Sequence, residues 1–161
     1  MSTIVSSQDL LFMRSALEEA ARAIAIGEVP IGAVVVHRDE VLSCSHNYRE
    51  SWQDPTAHAE LIAIRAAANK LGSWRVTDST LYVTVEPCAM CLGAVILARI
   101  PRIVFGAWDP KGGACGSLFD LTREPRVNHR LSVIGGVLED ESRTLIQAFF
   151  RGLRTTTPDV E

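Results

Sequence analysis

Apolar residues recur at helical spacing near the start of the chain and at strand spacing soon afterwards. Between residues 9 and 26 they return every three or four positions, which predicts an amphipathic helix with Asp9 as its N-cap and Gly27 at its end. Two short runs rich in β-branched residues follow, IGAVVV at 31–36 and VLSCS at 41–45. The polar segment HRDE between these runs predicts an antiparallel hairpin.

Helices and strands alternate through the rest of the chain. The segment 47–57 has no period and contains Asp-Pro, so it is predicted to be a loop, and HAELIAIRAAANKLG at 58–72 is predicted to be a helix. The remaining predicted elements are a strand at 80–85, a helix from Pro87 to about Ala98, a strand at 102–107, a Gly-rich loop at 109–117, a strand at 130–136 and a helix at 140–153. Strand-helix-strand connections favour a partly parallel sheet with helices on both faces. We therefore expect an α/β fold, a three-layer α/β/α sandwich, in one domain spanning residues 1–161.

Composition and charge limit the functions that this fold can serve. The chain has 161 residues, 47% of them hydrophobic, and no apolar run approaches the roughly 18 residues that cross a bilayer. Its start lacks the layout of a signal peptide, so we expect a cytoplasmic protein, without a membrane partner, in which neighbouring cysteines bind metal more often than they form disulfides. The net charge of −3 argues against a protein that coats nucleic acid. Residues 99–154 nevertheless carry 9 Lys and Arg against 6 Asp and Glu, so a polyanion is expected to dock there unless the excess is ordinary solvated surface.

Two predicted helices begin with residues suited to bind a metal ion. His58 opens one helix, and Cys88 and Cys91 lie in the first turn of the other. Cysteines three residues apart stand on one side of a helix, and the positive end of the helix dipole favours their ionised form. Three protein ligands leave a tetrahedral zinc ion one position open for water, which is typical of a catalytic site. We therefore expect one Zn²⁺ per chain.

A carboxylate completes the pattern. A hydroxide that attacks a ring carbon needs a group that collects its proton and returns it to the leaving amine, and Glu60 is suited to both steps. The segments HAE at 58–60 and PCAMC at 87–91 together match the H-x-E…P-C-x-x-C signature of zinc nucleobase deaminases. The sequence therefore predicts a hydrolytic deaminase with Glu60 as the proton shuttle.

Two other interpretations of these residues remain open. Cys88 and Cys91 also have the spacing of a redox pair, which would leave the nearby histidine and glutamate without a task. A structural zinc site closed by Cys44 or Cys115 as a fourth ligand is the second interpretation. Outside such a site, Cys44 and Cys115 are expected to be small buried residues. The other histidines, His37, His46 and His129, are expected to have surface or hydrogen-bonding roles.

Beyond the metal motifs, the sequence resembles the bacterial tRNA-specific adenosine deaminases. The matching stretches are EVPIGAVVV, HN at 46–47, DPTAHAE, TLYVTVEPCAMC, RIVFGAWDPKGGACGSL, NHR at 128–130 and AFFRGLR, which together span nearly the whole chain. The resemblance implies a cytidine-deaminase-like fold with a central mixed five-stranded sheet, and a homodimer. It also implies conversion of adenosine to inosine at the wobble position of a tRNA anticodon stem-loop, with no DNA partner.

The resemblance also assigns substrate contacts. It implies that Asn47 and the Ala59 backbone hold the purine, which agrees with the donor and acceptor that one Asn side chain offers, and Val29 and Pro30 are expected to form an apolar wall. A turn at the start of the 47–57 loop is the alternative role for Asn47. The residues that match RNA-contacting positions of the family are Asp109, Lys111, Phe149 and Arg154. Trp108 departs from the charged residue usual at its position, and both stacking and packing remain open for it.

Two other functions compete with tRNA deamination. A small-molecule deaminase acting on free guanine or cytidine would use the same zinc chemistry, and the core motifs do not separate the two. A zinc-stabilised RNA-binding module without activity is the third candidate, although such a module would not need Glu60. The loop DPKGGACGSL, the NHR stretch and the last helix favour tRNA as the substrate, because in these three segments the resemblance extends beyond the residues that carry out the reaction.

Overall fold

The computed structural model describes residues 4–156, so residues 1–3 and 157–161 of the predicted domain lie outside the described part. The elements are α1 (Ser7–Ile24), β1 (Gly32–His37), β2 (Glu40–His46), α2 (Arg49–Trp52), α3 (Ala59–Leu71), β3 (Ser79–Val85), α4 (Ala89–Leu97), β4 (Arg102–Ala107), β5 (Ser132–Ile134) and α5 (Glu139–Thr156), with a 3₁₀ turn at Leu121–Arg123. Among the described residues, no helix is both long and apolar enough to cross a membrane.

The strands form one mixed sheet in the order β2-β1-β3-β4-β5. Strand β1 runs antiparallel to β2 and β3, whereas β3, β4 and β5 are parallel. Helices α3 and α4 cover one face of the sheet, and α1 and α5 cover the other, which gives two apolar cores. Strands covered on both faces are expected to be apolar throughout, and β4 and most of β1 and β3 are buried along their length. The prediction of a three-layer α/β/α sandwich with a mixed five-stranded sheet is confirmed.

The first helix begins earlier than predicted. Ser6 is its N-cap: the Ser6 hydroxyl accepts the Asp9 N–H at 3.1 Å, and the Asp9 carboxylate accepts the Ser6 N–H at 2.9 Å. The prediction of Asp9 as the N-cap was therefore wrong, because Asp9 is the second member of a capping box. The Asp9 carboxylate also accepts hydrogen bonds from both terminal nitrogens of Arg102, at 2.7 and 2.9 Å, and from the Tyr82 hydroxyl at 2.8 Å.

The other differences from the predicted elements are local. The hairpin turn has only two residues, Arg38 and Asp39, both at positive φ, which is the two-residue turn that suits the twist of a hairpin. The 47–57 loop contains the short helix α2. Pro87 precedes the N-cap Cys88, so it lies outside the first turn of α4. Strand β5 has three residues rather than seven.

The segments that carry candidate functional residues begin at one end of the sheet. Strands β3 and β4 are parallel, with Val85 beside Ala107, so the segments that leave their carboxyl ends start at the same edge. The Pro87-Cys88 segment and the 109–117 loop are these two segments. The carboxyl ends of parallel strands are where α/β sheets usually place a functional site.

Candidate metal and catalytic site

His58, Cys88 and Cys91 meet at the beginnings of two helices. His58 is the N-cap of α3, Cys88 is the N-cap of α4, and Cys91 lies one turn into α4. Neither the His58 nor the Cys88 side chain makes a capping hydrogen bond to its own helix, so both side chains are available to a ligand. Within residues 4–156 these three residues form the one group of His, Cys, Asp and Glu side chains close enough to hold a metal ion.

The distances in this cluster fit a tetrahedral zinc ion. The His58 Nδ1 atom lies 3.7 Å from the Cys88 Sγ atom and 3.5 Å from the Cys91 Sγ atom. Zinc bonds of about 2.3 Å to sulfur and 2.0–2.1 Å to nitrogen at the tetrahedral angle place such ligand atoms about 3.6 Å apart. Neither Cys44 nor Cys115 belongs to the cluster, so it offers three protein ligands and not the four of a structural zinc site.

The cluster stabilises a thiolate. A hydrogen bond from Cys91, with a further one from His58, lowers the pKa of Cys88 to about 3 although burial acts in the opposite direction. The same contact with Cys88, together with burial, raises the pKa of Cys91, and the hydrogen bond to Cys88 raises the pKa of His58. The pair of sulfurs therefore carries negative charge at neutral pH, which is what a divalent cation requires.

Glu60 lies beside the cluster in the first turn of α3, and its side chain is buried. Burial raises the pKa of Glu60 to about 7, because the charged form loses its hydration, and the negative charge of Cys88 acts in the same direction. A carboxyl group with a pKa near neutrality can both take up and release a proton under physiological conditions.

Asn47 is fixed against the first turn of α3. It is buried, and its Oδ1 atom accepts the Ala59 N–H at 2.9 Å. The Ala59 N–H, which the family resemblance assigned to the purine, therefore donates to Asn47 in this structure. The contact orients the Asn47 amide and leaves its Nδ2 atom as a donor for a base edge.

A groove of about 430 Å³ opens at the same end of the sheet. Its lining includes the predicted wall residue Val29, the ends of β3 and β4, and residues of the 109–117 loop and of α5. Pro30, the other predicted wall residue, is buried next to Val29. The Trp108 side chain lines the groove, is 43% exposed, and packs edge-on against Phe105 with the ring centroids 4.7 Å apart. Trp108 thus both packs and presents a surface to the groove.

The four predicted RNA-contacting residues are not all in this groove. Asp109 and Lys111 line it, and the Asp109 Oδ1 atom accepts the backbone N–H groups of Lys111 and Gly112. Phe149 instead faces an apolar groove shared with Ile24 of α1, and the exposed Arg154 lies farther along α5. Phe150, Ile146 and Arg143 are the α5 residues that line the groove. The sequence did not single them out, because nothing in the pattern of α5 showed which face would look toward β4.

The cysteines and histidines outside the cluster differ in burial, and the histidines make hydrogen-bonding contacts. Cys115 is buried, as expected, but Cys44 is exposed on β2, so the expectation that it is buried was wrong. His37 contacts the Thr77 carbonyl and the Ser79 hydroxyl, and His129 contacts the Ile100 carbonyl at 2.7 Å. His46 is buried against Glu19 at 2.9 Å, which agrees with a hydrogen-bonding role.

Sequence comparisons place this chain among deaminases. A family model described as MafB19-like deaminase matches residues 7–154. The tRNA-specific adenosine deaminase of Bacillus subtilis (strain 168) is 51% identical over 148 residues, which cover 92% of this chain and 92% of that protein. The tRNA-specific adenosine deaminase of Aquifex aeolicus (strain VF5) is 44% identical over 143 residues, 89% of this chain and 94% of the relative.

Solved structures show the same likeness. One from biochemical and structural studies of A-to-I editing by tRNA:A34 deaminases, at the wobble position of transfer RNA, has a TM-score of 0.81 and 44% identity. The match covers 84% of this chain and 98% of that chain. A guanine deaminase from Nitrosomonas europaea has a TM-score of 0.74 and 26% identity, with 91% of this chain and 85% of that chain covered.

Proposed function

This chain belongs to the MafB19-like deaminases and, among them, to the tRNA-specific adenosine deaminases, and we propose that it converts adenosine to inosine at the wobble position of a tRNA anticodon. The observation that carries the proposal is the His58, Cys88 and Cys91 cluster with the buried Glu60 beside it. Neither a redox pair nor a binding module needs a carboxyl group at that place.

His58, Cys88 and Cys91 would hold one zinc ion per chain. A zinc ion at such a site lowers the pKa of a water molecule and so supplies a nucleophile at neutral pH. Glu60 collects a proton from the attacking water and passes it to the departing amine. In the overall reaction one water is consumed, the amino group at C6 of adenosine leaves as ammonia, and C6 becomes the carbonyl carbon of inosine.

The base is held between a polar and an apolar side of the site. The Asn47 Nδ2 atom donates to an acceptor on the purine edge, and the hydrogen bond from Ala59 to Asn47 keeps that donor in place. Val29 and Pro30 form the apolar wall beside the ring. Anticodon-loop bases are unpaired, so extruding one into this pocket costs less than flipping a base out of a duplex.

The remainder of the anticodon loop lies along the rim formed by the 109–117 loop and α5. Lys111 is an exposed cation that contacts a phosphate at the groove, and Asp109 shapes its loop. Outside the groove, the exposed Arg154 contacts a second phosphate farther along α5, and Phe149 stacks on a base on the side of α5 that faces α1. The 109–117 loop and α5 together carry four Lys and Arg against four Asp and Glu, so the positive excess of residues 99–154 lies outside this rim. Single exposed cations such as Lys111, rather than a net charge of the protein or of the rim, are the groups that meet the phosphates.

The assembly is a homodimer of a single-domain chain, and it works in the cytoplasm. The sequence of α4, AMCLGAVIL, is apolar on all sides, yet Met90 and Leu97 are exposed. Leu118 and Phe119, directly after the 109–117 loop, are exposed as well. An apolar helix of this kind is normally buried, and a second copy of the chain would cover the exposed side. We expect light scattering to give twice the chain mass for the wild type and the monomer mass for Leu97→Lys. A monomeric wild type would contradict this assembly.

Activity assays with matched substrates test the function. We expect the zinc-loaded protein to form inosine in total tRNA and to release ammonia, whereas free guanine and cytidine are turned over far more slowly. Glu60→Ala supplies the background rate. Faster turnover of free guanine than of tRNA would replace this function by that of a small-molecule deaminase.

A further inference from the structure

The Glu86 carboxylate is buried at the end of β3, 3% exposed, and no step of the proposed reaction uses it. It lies immediately before Pro87 and Cys88, and its own N–H donates to the Ala107 carbonyl at 2.8 Å. A buried carboxylate is costly unless its oxygens accept hydrogen bonds. The donors that Glu86 has acquired therefore indicate what it does.

All of these donors belong to the loop that follows β4. The Glu86 Oε2 atom accepts the Asp109 N–H at 2.9 Å, and its Oε1 atom accepts the N–H groups of Cys115 and Ser117, each at 3.0 Å. The Ser117 hydroxyl donates to Oε2 as well. One carboxylate thus joins both ends of the 109–117 loop, across 8 residues of sequence.

The loop is also wrapped closely around this carboxylate. A Cβ atom added at Gly113 would collide with the Glu86 carboxyl group, so any other residue at this position would have to displace the carboxylate from its donors. Gly113 pairs with Cys88 in an isolated antiparallel bridge, and the Ala114 N–H donates to the Pro87 carbonyl at 2.9 Å. The backbone of the loop therefore lies against the segment that carries Cys88.

We propose that Glu86 is a positioning residue for RNA recognition, which holds the 109–117 loop in the shape that places Trp108, Asp109 and Lys111 along the groove. Glu86 does not touch the substrate and acts through the loop. The inference rests on the proposed function, in which this loop contacts the tRNA.

The chemistry of the donors explains why a carboxylate is needed. A carboxylate only accepts hydrogen bonds, and it has room for all four of these donors. Glutamine has the same shape, but its NH₂ group would face N–H donors at one of the two oxygen positions. Either Asp109 or the pair Cys115 and Ser117 would then lose its partner in a buried place, which favours a rearranged loop.

We expect Glu86→Gln to raise KM for a tRNA anticodon stem-loop by about tenfold, the effect of losing about one such hydrogen bond. The value of kcat should change much less, and zinc content should stay at the wild-type level, because the three ligands and Glu60 are untouched. Ser117→Ala removes a single donor and should raise KM in the same direction by a smaller factor. It provides the test in case Glu86→Gln folds poorly.

A double-mutant cycle with Lys111→Ala separates positioning from general destabilisation. If Glu86 acts through the loop, Lys111→Ala should raise KM in the wild-type background and hardly at all in the Glu86→Gln background, since the lysine is already misplaced. Asp9→Asn is the matched control: it alters another buried carboxylate, at the opposite end of the sheet. It should lower the melting temperature and leave KM unchanged.

Several results would overturn the inference. Independent, multiplying effects of the Glu86 and Lys111 substitutions would do so, as would a lower melting temperature with unchanged KM. A loss of zinc with a fall in kcat would show that Glu86 serves Cys88 instead. If the wild type forms inosine in tRNA while Glu86→Gln and Ser117→Ala keep the wild-type KM, the positioning role alone fails. If the wild type forms none, the proposed function fails and RNA positioning fails with it.

Discussion

The salt dependence of RNA binding tests whether the groove lined by Lys111 and Trp108 carries phosphate contacts. Lys111 is exposed on the 109–117 loop and lines the groove. Arg143 lines the same groove, but its guanidinium group is already paired with Glu139 and lies 3.9 Å from Asp140. We therefore expect Lys111→Ala to remove one full phosphate contact, and Arg143→Ala to have a smaller effect on phosphate binding.

The expected magnitude follows from counterion release. Each phosphate contact on a single strand contributes about 0.7 to the slope of log affinity against log salt. Between roughly 50 and 200 mM salt, one contact accounts for about a 2.6-fold loss of affinity. Over this range the fold loss of affinity should therefore be about 2.6 times larger for the parent protein than for Lys111→Ala.

Fluorescence anisotropy with a labelled anticodon stem-loop measures these slopes, in a Glu60→Ala background that prevents turnover. Arg38→Ala is the charge-matched control, because Arg38 lies in the hairpin turn at the opposite end of the sheet. Its slope should equal that of the parent. An unchanged slope for Lys111→Ala, or an equal change for Arg38→Ala, would refute a phosphate contact at the groove.

Three further predictions concern the centre and the fold. Glu60→Ala should keep its fold and zinc but lose about 10²–10⁴-fold in inosine formation, and a loss below roughly tenfold would contradict its role. Cys88→Ser should fall well below one zinc per chain by elemental analysis, and full zinc occupancy would argue against Cys88 as a ligand. Asp9→Asn should lower stability at pH 7 by about 3 kcal/mol, or roughly 6–12 °C in melting temperature, because it breaks a buried pair with Arg102. Burial alone would raise the pKa of Asp9, but hydrogen bonds from Arg102, the Ser6 N–H and Tyr82 hold it well below its usual range. The wild-type advantage should therefore be complete above about pH 4 and shrink as the pH falls further, and equal differences in thermal melts at pH 7 and pH 3 would contradict this assignment.

Local signals in the sequence were sufficient for the layers and for the cluster. The three candidate ligands lie at helix starts that the sequence marks clearly. Their shared metal site could therefore be predicted from two local motifs without knowledge of the sheet order. The start of α1 was predicted wrongly although a local signal was present, since Ser6 followed three residues later by Asp9 is the capping-box spacing. The pairing of Asp9 with Arg102, 93 residues away, is the part of its role that no local signal shows.

Residues whose role depends on long-range packing were not predictable. Phe149 and Phe150 are adjacent, so about 100° of helix rotation separates them, and the choice of the one that faces the groove depends on how α5 packs on β4. Glu86 has no side-chain partner in its own segment, and three of its four donors are backbone N–H groups, which carry no sequence signature. A carboxylate at the end of the apolar strand TLYVTV was the one available signal.

We expect the discrimination between tRNA and a free base to come from the rim formed by the 109–117 loop and α5, rather than from the metal cluster. A guanine deaminase shares this fold at 26% identity, so the sandwich itself suits either kind of substrate. A neutral free base gains nothing from the charge of Lys111 or from the 109–117 loop that Glu86 holds, whereas an anticodon loop brings phosphates to both. Such remote contacts add binding energy that only the tRNA receives, which lowers the KM for tRNA relative to that for a free base. The exposed Lys111 and the buried carboxylate that holds its loop are therefore the parts of this molecule in which its choice of substrate is expected to reside.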